Sequence, residues 1–208
     1  MSLYGRLFAR FYDRAIAATE AAGLADRRHR LLARAGGRVL ELGAGTGLNL
    51  AHYPAGIEQL VLTEPEEPML ARLRERAARH EPAATVVAAP AERLPVAAAS
   101  VDTVVTTLTL CTVGDLNAAL REAQRVLVPG GQLLFLEHVR SGDARRARRQ
   151  DLLAPLWKVV GHGCHCNRAT VAAIEAVAFD VRKLEYGEMP RAPGFLEPVV
   201  SGVAVKPS

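Results

Sequence analysis

Aromatic residues make up only 5% of this 208-residue chain, and lysine is confined to Lys158, Lys183 and Lys206, every other basic residue being arginine. The few aromatics are not interleaved with the arginines, which argues against a stacking surface for nucleic acid; no nucleic-acid partner is expected. Cysteine is also scarce. Three cysteines, an odd number in a long chain, argue against a disulfide framework and fit a reducing compartment. No apolar run reaches the ~18–20 residues that a spanning helix needs. Arg6, Arg10, Asp13 and Arg14 interrupt the N-terminal apolar residues, so that segment reads as neither signal peptide nor anchor. The expectation is a soluble, cytoplasmic protein.

Half of the residues are hydrophobic, enough for one domain over residues 1–208 with a sizeable core. The net charge of +4 and pI near 9.2 are mildly basic. The one dense run is Arg145-Arg146-Ala147-Arg148-Arg149, with Arg140 nearby. It reads either as a solvated helix face or as peripheral contact with anionic lipid headgroups or an acidic substrate.

Along the chain, helical and strand patterns alternate. Residues 3–20 and 24–35 read as helices, with Leu3, Leu7, Phe8, Phe11, Ala15 and Ile16 on one face of the first. Strands are expected at 38–42, 59–63, 85–88, 101–107, 132–137, 180–185 and 199–205. Helices are expected near 47–53 and at 67–80, 116–127 and 170–178. This alternation implies a single doubly wound α/β domain with a mostly parallel, seven-stranded sheet. The last two strands are joined without a helix, so one of them is expected to run antiparallel. Residues 1–35 suit a helical lid over the ligand, or a helix packed permanently on the sheet edge. Residues 139–168 are too long for a simple connection and suit an insertion that shapes a pocket.

The most informative stretch is Val39-Leu40-Glu41-Leu42-Gly43-Ala44-Gly45-Thr46-Gly47, an apolar run feeding an acid and three alternating glycines. Glycines there let backbone approach a ligand closely, and the turn behind them offers N–H groups. A dinucleotide loop would carry a small residue at the position of Leu48, so that reading is disfavoured. Glu-x-Gly-x-Gly-x-Gly at a strand end instead resembles the first motif of class I S-adenosylmethionine (SAM) methyltransferases. The resemblance implies SAM as cofactor and S-adenosylhomocysteine as product. It places Gly43, Gly45 and Gly47 in the cofactor loop and Glu64, about twenty residues on, against the ribose diol. Pro65 and Met69 follow Glu64 in the expected site. Glu41 either orients the loop or reaches the ligand's ammonium. Ala91 and Glu92 border the adenine, although Pro90 stands where many members carry an acid. Thr107 and Leu108 face the methionine end, and Tyr12 belongs to the N-terminal lid.

Further segments narrow the resemblance. Val104–Val113, Leu120-Arg121-Glu122, Arg125–Gly131, Glu137-His138-Val139, Leu153–Trp157, Gly163-Cys164-His165 and Gly202–Lys206 look like the subgroup that contains alkyl-thiol S-methyltransferases. That implies a small, rather apolar methyl acceptor, with an alkyl thiol first and quinone or phospholipid acceptors as alternatives. A non-catalytic SAM-binding sensor or scaffold is the rival from another class. A thiolate is the attacking species, and a free thiol's pKa near ~8.5 makes a base or a positive charge useful. His138, just after the fifth strand, is the first candidate for that base, or else a hydrogen-bonded core residue. His165 is the second. Glu137 either orients His138 or is a satisfied buried acid. The cluster Gly161-His162-Gly163-Cys164-His165-Cys166 lacks the second ligand pair of a structural zinc site, so no metal is expected.

Overall fold

The computed structural model describes residues 3–80 and 83–208. Seven strands form one sheet: β1 (Gly37–Leu42), β2 (Ile57–Thr63), β3 (Ala84–Val87), β4 (Val101–Thr107), β5 (Leu127–His138), β6 (Asp180–Glu188) and β7 (Pro198–Val205). Their spatial order is β3-β2-β1-β4-β5-β7-β6. The first five run parallel, and β7 runs antiparallel to both β5 and β6, the one reversed strand that the helix-free connection implied. The order turns around between β1 and β4, and in such sheets the crevice beyond the strands' carboxyl ends takes the ligand.

The central strands are rich in Val, Leu and Thr on both sides because helices cover both of their faces. On one face Leu40, Leu42, Val104, Leu133 and Phe135 pack against α4 (Leu116–Val126) and α6 (Thr170–Ala176) through Leu120, Ala123 and Ile174. On the other, Val39, Leu60, Leu62 and Leu134 meet α2 (Ala25–Leu32) and α3 (Glu67–Ala77) through Leu32, Leu70 and Leu73. Each such aliphatic side chain contributes about 1.5–3 kcal/mol by leaving water. Asp115 starts α4 by accepting from Ala118 N–H at 3.0 Å, the N-cap bond that sets the helix boundary.

The two expected N-terminal helices form, α1 (Leu3–Thr19) and α2, and they meet at a kink over Glu20–Leu24 where Gly23 takes a non-helical φ of 131°. Two other local expectations need correction. Near 47–53 the chain forms turns and one 3-10 turn, Leu50–His52, in place of a helix. Leu7 and Phe11 of α1 do not face inward; about half of each is exposed. The reason is that α1 lies over the crevice, so only its Phe8–Tyr12–Ile16 side finds protein to cover it.

Within 139–168 the chain folds into α5 (Ala144–Val160), N-capped by Asp143, which accepts from Arg146 N–H at 2.8 Å. Fully buried Gln150 anchors this helix. Its amide donates to the carbonyls of Val139 and Cys166 at 3.0 and 2.9 Å, and its oxygen accepts from Ser141 N–H. Among the described residues no helix is long and apolar enough to cross a membrane.

Candidate active site

The glycine turn leaves β1 at the point where the strand order reverses. Gly43 adopts φ +61°, and a Cβ there would lie 2.4 Å from the Thr109 methyl, so conformation and close approach both require glycine. Gly45 N–H donates to one Glu64 oxygen and Glu66 N–H to the other, each at 2.9 Å. These bonds hold the Glu64 carboxylate at the end of β2, facing the turn. Burial raises its pKa, and the two N–H donors oppose that rise.

Behind the turn lies a buried polar hub. Arg28, only 3% exposed, donates to Glu20 at 3.0 Å and to Asn49 and Thr107 at 2.9 Å each. Asn49 donates to Glu41 at 2.8 Å, and the Tyr53 hydroxyl donates to the other Glu41 oxygen at 2.7 Å. Burial pushes the Glu41 carboxyl up to about 7 despite these donors. Sequence reasoning found Glu41 and Thr107 but missed Arg28 and Asn49. Arg28 is one arginine among many, and its only local signal is Glu20 two helical turns earlier.

A cavity of about 710 Å³ opens beside these groups. It brings together Tyr12, Glu41, Gly43, Gly45, Glu64, Pro65, Met69, Ala91, Glu92, Thr107 and Leu108. Gly47 is not among its walls; that glycine packs toward Leu50 and Leu73 and lets the turn sit on α3. Leu108 holds φ 56°, a strained conformation at the point where β4 gives way to its loop. Glu92 accepts from Gly114 and Asp115 N–H at 2.8 and 3.2 Å, tying the loop after β3 to the loop after β4. Burial lifts the Tyr12 phenol to about 12, so it stays protonated.

The far end of the cavity is mostly apolar, walled by Cys111, Trp157, Val160, Cys164, Met189 and Leu196. His138 joins this end. Burial holds its pKa down at about 4, against a weak upward pull from the Leu196 and Pro198 carbonyls. The ring is therefore neutral at pH 7, and its Nδ1 is buried without a partner among the described residues. Glu137 does not orient it. Successive side chains alternate across a strand, and Glu137 instead accepts the N–H groups of Thr109, Leu110 and Cys111 at 3.0–3.3 Å on the opposite face.

His165 does not line the cavity, whereas His162 does, stacked on Phe8 of α1 with ring centroids 4.6 Å apart. Backbone geometry decides this: His165 N–H is fixed to the Cys111 carbonyl at 2.7 Å, which turns its side chain aside. Arg168 locks the same segment by donating to the carbonyls of Leu110 and Val113. Cys111 and Cys164 share a hydrogen bond that, with burial, keeps the Cys111 thiol protonated. The connection between β6 and β7 supplies Met189, Arg191, Ala192 and Leu196, a wall that is apolar apart from one arginine, carries no motif and was not revealed by the sequence.

The Arg28 guanidinium and the Glu41 and Glu64 carboxylates line one cavity, and these are the types of group that a carboxylate, an ammonium and a ribose diol require. A doubly wound sheet with this turn and this hub defines a class I SAM-dependent methyltransferase. Residues 40–135 match the methyltransferase domain family. The chain belongs to the thiol S-methyltransferase family: it is 38% identical over 172 residues to thiol S-methyltransferase TMT1B of Rattus norvegicus, covering 81% of this chain and 70% of that protein. It is 35% identical over 174 residues to human thiol S-methyltransferase TMT1A, with the same coverage. In fold it resembles the crystal structure of a SAM-dependent methyltransferase, possible histamine N-methyltransferase, from Thermotoga maritima. The TM-score is 0.69 at 24% identity, over 96% of this chain and 97% of that one.

Proposed function

We propose that the protein methylates the sulfur of a small, apolar alkyl thiol. One observation carries the reading: a single cavity is charged and hydrogen-bonding at the glycine turn and largely apolar around His138, Trp157 and Cys164. The first end suits a zwitterionic nucleoside, the second an uncharged alkyl chain. In this reading Glu64 holds the ribose diol, Arg28 the carboxylate, and Ala91 with Glu92 border the adenine. When bound, SAM supplies a methyl carbon on a positively charged sulfur, which a thiolate displaces without a metal.

The chain's own contribution is alignment and exclusion of water. Phe8 and Tyr12 of α1 close the cavity from above as a lid, and residues 139–168 shape its acceptor end. In this reading the acceptor sulfur sits beside His138, which lines the apolar end of the cavity. A neutral ring whose conjugate acid has a pKa of about 4 is a weak base toward a thiol near ~8.5. We therefore assign it the task of hydrogen-bonding and orienting the acceptor, with the proton leaving to solvent. The three free, buried cysteines suit a reducing compartment.

The test is direct. Purified protein, SAM and a panel of alkyl thiols, a quinol and a phospholipid are incubated, and S-adenosylhomocysteine and methylated products are measured. Methyl thioethers from the alkyl thiols are expected. Tight SAM binding with no turnover on any acceptor would favour a sensor or scaffold instead.

A further inference from the structure

The exposed surface around the cavity mouth is unlike the rest of the molecule. On α5, Leu152, Leu156 and Val159 are 79%, 66% and 69% exposed. Their spacing of four and three residues puts them on one face of the helix. Traced toward the N-terminus, that face continues through Arg149, Arg148 and Arg145. On α1, exposed Tyr4, Leu7 and Phe11 form a second apolar stripe by the same spacing, with Arg6, Arg10 and Arg14 along its flank. The two stripes meet: the Tyr4 hydroxyl donates to the Val160 carbonyl at 2.6 Å, and Phe8 stacks on His162 just beyond α5.

The charges on this surface are uncompensated. None of Arg6, Arg10, Arg14, Arg145, Arg148 and Arg149 makes an ion pair among the described residues, whereas neighbouring Arg140 and Arg146 pair with Asp151 and Glu188. A surface helix normally turns its large apolar residues inward. Here Gln150 anchors the inward side of α5 and the aliphatic side chains stay in water. Aliphatic residues rimmed by unpaired arginines are the pattern of a face that sinks its apolar groups to the acyl boundary and leaves its cations among phosphates. A symmetric second copy fits less well, because it would bring two faces of the same positive charge together.

We infer that the α1–α5 face docks on an anionic lipid bilayer, with the apolar stripes at the acyl boundary and the arginines among the headgroups. The helices that carry the stripes also wall the cavity, through Phe8 and Tyr12 on α1 and Trp157 and Val160 on α5. Docking therefore sets the cavity mouth against the membrane, where apolar molecules concentrate. That last step rests on the proposed acceptor; the docking itself does not.

The experiment uses the full chain, without SAM or thiol, and sedimentation with vesicles of phosphatidylcholine alone or of phosphatidylcholine and phosphatidylserine in equal parts. Binding to the mixed vesicles is expected, weak binding to the neutral ones, and loss on raising salt. The triple variant Arg145→Gln/Arg148→Gln/Arg149→Gln and the triple variant Phe11→Gln/Leu152→Gln/Leu156→Gln should each lower partitioning by about tenfold or more. Both should keep the wild-type melting midpoint and the wild-type rate on a water-soluble thiol, because none of the six residues lines the cavity. No binding to mixed vesicles, or equal binding by wild type and both variants, would overturn the proposal. So would a wild-type dimer that the apolar variant abolishes, since the face would then be a contact between copies. Because the assay involves no methyl transfer, its failure leaves the proposed activity to its own test.

Discussion

Glu41 and Glu137 are carboxyls that the fold takes out of water. Each is a carboxyl fully enclosed by protein, and burial raises both from an ordinary value of 4.5 to about 7. Both are well supplied with donors, Glu41 by Asn49 and Tyr53 and Glu137 by three backbone N–H groups. Donors reduce the penalty of burying charge without cancelling it. A carboxyl whose pKa rises on folding holds its proton more tightly in the folded chain. Stability is therefore highest below the unfolded value and falls as pH climbs through about 7. Each pKa unit corresponds to about 1.4 kcal/mol, so the effect is large enough to measure. The ligand-free protein should melt at a progressively lower temperature between about pH 5 and pH 8. Glu41→Gln, which keeps one acceptor and one donor for Asn49 and Tyr53, should flatten that decline. Thermal melts at a series of pH values check both; an identical slope in the variant would contradict the buried, raised carboxyl.

Among the elements, those whose sequence dictates local conformation were legible and those placed by distant partners were not. The glycine turn announces itself because Gly43 needs a positive φ, and the run from Val101 to Thr107 because it is almost wholly valine and threonine, the β-branched residues that favour a strand. Glu64 was legible as a consequence: one strand and one turn fix its distance from the glycines. Arg28 was not, since its burial depends on how the kink at Gly23 seats α2 on the sheet, within reach of Thr107 at the end of β4. Nor was the wall from the β6–β7 connection, which reaches the cavity only once β7 inserts antiparallel beside β5. The histidine that meets the cavity is His162 and not His165 for a similar reason, because a loop has no periodicity from which side-chain direction can be read.

The same loop depends on Arg168, whose guanidinium fork reaches the Leu110 and Val113 carbonyls together and so joins the proposed acceptor wall to the loop after β4. A lysine carries the charge but not the planar fork. Arg168→Lys should therefore loosen the acceptor wall while leaving the nucleoside end intact. The expected result is a roughly tenfold lower kcat/KM for the thiol, about 1.4 kcal/mol of lost transition-state stabilisation, with SAM affinity within about twofold of wild type. Steady-state kinetics alongside calorimetric titration of SAM separate the two; an equal loss in both would mean that the fork supports the whole cavity.

Across the whole molecule, the cavity is where otherwise separate parts of the chain converge: α1, the glycine turn, the loops after β2, β3 and β4, the end of α5 and the β6–β7 connection. A ligand that spans it holds them together. At about a hundred times its dissociation constant, S-adenosylhomocysteine should stabilise the fold by about 2.7 kcal/mol, or about 5–10 °C in melting midpoint for a chain of this size. How much of that depends on α1 turns on Asp13, which accepts from the Thr46 hydroxyl at 2.6 Å and pairs with Arg76 at 2.5 Å and Arg72 at 3.6 Å. These groups are roughly a quarter to two-fifths exposed, so solvent screens them and the ligand-free fold gains little, about 1 kcal/mol or less per pair. Their position matters more than their energy, because they fasten the helix carrying Phe8 and Tyr12 to the glycine turn and α3. Asp13→Asn should thus move the ligand-free midpoint by only about 2–4 °C, yet shrink the ligand-induced shift and speed ligand release. If the shift and the release rate both match wild type, α1 is a fixed wall and the cofactor enters by another route. If both change while the ligand-free midpoint holds, closure of α1 over the nucleoside is the step that Asp13 secures.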